Sequence, residues 1–172
     1  MPPLAPAVAF SDIIIGVHVL GAIIGFGVVF TFPLLFSAAA RMDPTVTPWL
    51  LRARKQVGRY LVNPGLTVVV LAGIYLASDE HYWGTFWVQW GIGAALVIGA
   101  IEGAVIIPRA GRLATLAERD LAAGTVPAGG RRTSATWSPE YTSGYRLLSV
   151  AGIVIQVLVV VTVLLMTTQP GS

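Results

Sequence analysis

Few side chains in this 172-residue chain are equipped for chemistry, and those that are lie inside apolar runs. His18 sits in DIIIGVHVLGAIIG, Glu102 in VIGAIEGAVIIP, and Met166 in the closing run VTVLLM. Asn63 follows Arg59 closely at the start of LVNPGLTVVV. A neutral imidazole in such surroundings suits an interhelical hydrogen bond or an axial bond to haem iron, with Met166 by depth, or His81 by loop folding, as the second ligand. A carboxyl in an apolar run is either protonated, paired with a cation, or part of a proton or cation relay. Recognisable catalytic triads, phosphate loops, zinc spacings and paired carboxylates are absent from the sequence. The two histidines, His18 and His81, are far apart. With no Cys, thiolate metal sites, cysteine nucleophiles and disulfides are excluded. The set therefore leans away from an enzyme.

The elements that must position these groups follow from composition. With 55% hydrophobic and 11% charged residues, and a mean hydropathy of +0.77, the chain lies outside the range of soluble globular domains. About 20 apolar residues cross a bilayer as a helix, and four stretches qualify, at about 13–40, 60–78, 86–108 and 146–167. They predict an all-α, four-transmembrane-helix up-down bundle forming a single membrane domain over residues 1–172. Met1 to Phe10 has no basic residue and the run after it is long for a signal core, so the first span is expected to persist in the mature protein.

All eleven basic residues fall in two segments. Arg41, Arg52, Arg54, Lys55 and Arg59 lie in the first; Arg109, Arg112, Arg119, Arg131, Arg132 and Arg146 lie in the second. The positive-inside bias then puts connections 41–59 and 109–145 in the cytoplasm and both termini outside, as expected for a multi-pass protein of a bacterial inner membrane. The same placement makes anionic headgroups, not nucleic acid, the partner of the basic residues. Residues 47–59 read as an amphipathic lead-in to the second span, which Asn63-Pro64-Gly65 delays or kinks. Residues 109–123 extend the third span, and 124–144 form a Gly/Pro/Ser/Thr-rich loop, mobile or ordered by a partner. Gly21 and Gly25 in the first span, and Gly99 and Gly103 in the third, form smooth faces on which another helix can pack closely.

At about 1.5 Å rise per residue, His18, Tyr75, Gln89 and Met166 fall in one outer polar layer. Asn63 and Glu102 fall in an inner layer that Arg59 reaches from below, so Arg59, Asn63 and Glu102 form a candidate intramembrane cluster, with Arg59 or Arg109 as the partner of Glu102. For His18 the plain reading is a hydrogen bond to Tyr75 or Gln89. Gln156 stands alone near mid-span.

His18 followed by GAIIGFGVVF, the PGL and AGIYL elements of the second span, and the closing LLMTTQPG resemble a bacterial family of four-helix integral membrane proteins of unknown function. That family is distantly similar to the membrane domain of the copper-resistance protein D type and to the J-type haem-associated protoporphyrinogen oxidase. The resemblance implies a b-type haem held by His18, with Met166 as a second ligand; related closing motifs tend to carry Lys where Gln169 stands here. Three functions follow as expectations: a non-catalytic subunit or scaffold that associates with other membrane subunits or with itself, a haem-binding redox protein using His18, and a small proton-coupled transporter using Glu102.

Overall fold

The computed structural model describes residues 9–124 and 136–170. These are helical throughout, with no strand among them. Four helical rods are long and apolar enough to cross a membrane: Phe10–Met42, Pro44–Asp79, Phe86–Ala122 and Pro139–Thr168. The first comprises α1 (Phe10–Gly27) and α2 (Phe32–Met42) around a 3₁₀ turn at Val28–Phe30. The second comprises α3 (Thr47–Val57) and α4 (Asn63–Asp79) around a π turn at Gly58–Val62. The third comprises α5 (Phe86–Ile101) and α6 (Ile107–Ala122) around a π turn at Glu102–Ile106. The fourth is α7 (Pro139–Thr168), uninterrupted.

Contacts between successive rods run in opposite senses, as an up-down bundle requires. Phe10 meets Tyr75 and His18 meets Val69, while Gly25 meets Gly65. Between the second and third rods Leu66 meets Gly99 and Arg52 meets Glu118. Trp90 then bonds Thr162 on the fourth rod, and Gly144 lies on Leu113. The fourth rod returns to the first, where Gln156 bonds Val29 and Phe36 meets Tyr145 edge-on.

Each interruption has a proline behind it. Pro33 cannot donate to the Val29 carbonyl four residues back, and Gln156 Nε2 donates to that carbonyl instead, at 3.1 Å. Before Pro64, the Asn63 N–H bonds Gly58 five residues back; before Pro108, the Ile107 N–H bonds Glu102 in the same way. The wider π turn gives each proline ring room against the preceding carbonyls, so the rod continues. Of the two expectations for Asn63-Pro64-Gly65, the late start is corrected, since the helix begins at Thr47; the alternative, a local irregularity, takes the form of the π turn at Gly58–Val62.

Within the connection 41–59, the stretch expected as an amphipathic lead-in is helix α3. The turn before it is short, with the Asp43 carboxylate accepting from the Thr45 N–H (2.9 Å) and hydroxyl (2.6 Å). The extension of the third span to Ala122 agrees with expectation. The fourth begins at Pro139, seven residues before the expected 146, with Ser138 accepting from the Tyr141 N–H as its cap. Of the loop expected at 124–144, residues 125–135, with Arg131 and Arg132, lie outside the described residues.

Candidate functional site

Glu102 is fully buried, and its carboxylate grips Arg54 with two bonds: Nη1 donates to Oε1 at 3.1 Å and Nη2 to Oε2 at 3.2 Å. The Arg54 side chain is only 5% exposed. Its guanidinium also stacks on Phe32, 4.7 Å from the ring centre, so it is held between a carboxylate and an aromatic face.

The local sequence explains why a charge is buried here. Thr47, Leu51, Arg54 and Gly58 are all buried and recur at intervals of four, three and four, which is one face of a helix. Gly58 supplies the space, because a Cβ there would collide with Oε1 of Glu102. Glu102 opens one π turn and Gly58 opens the other, so both irregular segments meet at the pair. A second buried charge, Asp120, obeys the same rule on α6, following Ala110, Leu113 and Ala117. Its carboxylate accepts from the Ser138 N–H at 2.9 Å, tying the end of the third rod to the start of the fourth. Burial pushes the Asp120 carboxyl up, but the Ser138 amide and hydroxyl and the Arg119 guanidinium outweigh this and hold it below the ordinary carboxylate range.

The expected inner cluster is corrected in its cation. Arg59 is exposed and lies over the ring of Tyr60, 5.7 Å from its centre, because one residue beyond Gly58 turns the side chain about 100° away from Glu102. Asn63 is partly buried, and its carbonyl accepts from the Thr67 hydroxyl at 3.0 Å. Arg109 is partly buried and bonds no carboxylate among the described residues. The signal that would have found Arg54 is its place on the buried face of the amphipathic stretch 47–58.

The outer polar layer does not assemble. His18 Nδ1 lies 2.9 Å from the Val69 carbonyl, and its Cε1 edge rests over Gly73. This is the interhelical bond expected of His18, with a backbone acceptor in place of Tyr75 or Gln89. Tyr75 meets Phe10 edge-on, and Gln89 donates to the Trp83 carbonyl. Met166 lies against Gly91 on the third rod, among Ala77, Trp87 and Val88. His18 packs on the second rod and Met166 on the third, each against its own neighbours. Among the described residues no three His, Asp or Glu side chains gather to hold a metal.

The glycines divide by partner. Gly21 and Gly25 face Val68, Val69 and Gly65, and Gly99 faces Leu66, all within the bundle. Gly103 has no neighbour beyond its own helix within 4 Å and is exposed. Gln156, expected to stand alone, instead serves the carbonyl that Pro33 orphans and lines a cleft of about 270 Å³ between the first and fourth rods. Arg54 reaches that cleft as well.

Residues 12–170 match the sequence profile of the family described as "Predicted integral membrane protein (DUF2269)". No curated protein and no solved structure matches the chain, and the kinship expected with copper-resistance protein D membrane domains and the J-type protoporphyrinogen oxidase finds no support in these comparisons. The match covers nearly the whole of the four apolar rods and places the chain in this family of predicted integral membrane proteins of unassigned function.

Proposed function

We propose that this chain is a single-domain, non-catalytic membrane subunit or scaffold of a larger assembly in a bacterial inner membrane, with both basic segments cytoplasmic and both termini outside. The observation that carries the reading is the outward face of the third rod. Gly93, Ala100, Gly103 and Ala104 are all exposed there, with Leu96 and Val97 between them, and neither glycine has a neighbour outside its own helix within 4 Å. Small residues on a lipid-facing helix let a second helix approach closely and gain packing that lipid tails do not supply. The buried ion pair supports the reading too, since Glu102 and Arg54 neutralise each other.

The alternatives draw less support. A haem at His18 needs a second ligand, whereas His18 packs on the second rod and Met166 on the third, and proton coupling through Glu102 needs titratable neighbours in series. The test is extraction in mild detergent followed by native co-purification. The wild type is expected to carry other membrane chains, or further copies of itself, at fixed stoichiometry. Replacing Gly93 and Gly103 by Leu is expected to release them while leaving the bundle folded. A wild-type protein that extracts as a stable free monomer overturns the reading.

A further inference from the structure

The cleft between the first and fourth rods has an unusual floor. Two of the five N–H groups of Arg54 reach Glu102, and among the described residues no acceptor takes the other three. Arg54, which lines the cleft, therefore keeps spare donors while its charge is already cancelled by a carboxylate. An anion entering would add an uncompensated charge in a low-dielectric site, at a large desolvation cost. A neutral acceptor oxygen takes the spare N–H groups without that cost.

The walls narrow the class further. Phe32 and Phe36 come from the first rod, and Tyr145 from the fourth meets Phe36 edge-on at 5.6 Å. On the fourth-rod side, away from Arg54's own helix, lie Ser149, hydrogen-bonded to Tyr145, and Gln156, whose Nε2 keeps a second N–H beside its bond to Val29. A flat ring suits such walls, and acceptor oxygens at its two ends suit polar groups on opposite sides. At about 270 Å³ the cleft falls just below the usual range for a whole small-molecule site, about 300–1,000 Å³. It therefore holds a head group, not a complete lipid. Ile153, which lines it, is 56% exposed on the lipid-facing surface, so a tail attached to the ring leaves sideways into the bilayer.

We infer that this cleft is a head-group site for a neutral ring-carbonyl lipid of the isoprenoid-quinone class, one ring oxygen accepting from Arg54 and the tail passing out between the first and fourth rods. The inference goes beyond the subunit reading and stands or falls separately from it, because its test needs only the purified chain.

The probe is an azido-substituted benzoquinone with a decyl tail, photolysed with the full-length protein in detergent and mapped by mass spectrometry. Label is expected within residues 29–40 and 145–156, and unlabelled decyl-benzoquinone is expected to compete it away. Gly152 lines the cleft, and a Cβ there would meet nothing within 4 Å, so the larger side chain of Gly152→Leu is directed to take up the site. Labelling is expected to fall at least about tenfold in Gly152→Leu, following the loss of a bound head group. Ile153→Trp, at the mouth, is expected to do the same. Gly16→Leu, at another open position on the first rod, is expected to keep it. Labelling that persists in both cleft variants overturns the inference. So does equal competition by a diacylglycerol, which carries ester carbonyls and no ring.

Discussion

Glu102 and Arg54 illustrate how a buried charge is tolerated when its partner is fixed by two bonds and a stacked ring. Removing one member leaves the other uncompensated, and such a loss costs about 3–5 kcal/mol. Thermal unfolding in detergent is therefore expected to show Arg54→Leu and Glu102→Leu each strongly destabilised, with the double replacement recovering much of the loss, since apolar pairs of similar volume pack acceptably. Additive losses in the double variant would refute the pairing. Asp120 gives a pH prediction. Its carboxyl is held below the ordinary value, so its contribution is complete above the unfolded pKa of about 3.9 and is lost as pH falls through the lower folded value. The stability gap between wild type and Asp120→Asn is expected to be constant near neutrality and to close in acid. Of these groups only Glu102 stood out in the sequence as an acid in an apolar run. Arg54 and Asp120 were hidden among other charges, because what marks them is their position on a buried helical face.

At the scale of elements, the prolines decide local geometry and the glycines decide approach. A Cβ on Gly65 would lie 2.6 Å from the Gly25 Cα, a contact with backbone that no rotamer change relieves. Gly65→Ala is expected to force the first and second rods apart and to cost about 1–3 kcal/mol, the usual scale of overpacking. Gly27→Ala meets nothing within 4 Å and is expected to be neutral or to stabilise by up to about 1 kcal/mol through helix propensity. Unfolding midpoints of the two variants check both signs. The smooth face of the first span was legible from glycine spacing. That Gly65 would complete it was not, since Gly65 read as part of a break, and only the π turn at Gly58–Val62 carries the helix through Pro64 and brings Gly65 opposite Gly25.

For the whole molecule, the four apolar lengths and the two basic segments were legible because the bilayer imposes them. Hydrocarbon thickness demands about 20 apolar residues per helix. The transmembrane charge bias sorts Arg and Lys to one side. Alkaline phosphatase fused after Trp83 or after Gln169 is expected to be active, and fused after Ala122 inactive; the reverse pattern would invert the proposed orientation. Lipid also limits what patterning reveals. Both the bilayer and the bundle interior accept apolar side chains, so hydropathy marks the rods without distinguishing their inner faces. The sequence by itself determined the number of rods, their approximate spans and the acid within the third. The tertiary structure alone decided which cation meets that acid, that Gln156 serves the carbonyl Pro33 orphans, and that His18 and Met166 face different helices. Those are matters of rotation about each helix axis, where one residue moves a side chain by about 100° and a π turn moves every residue beyond it.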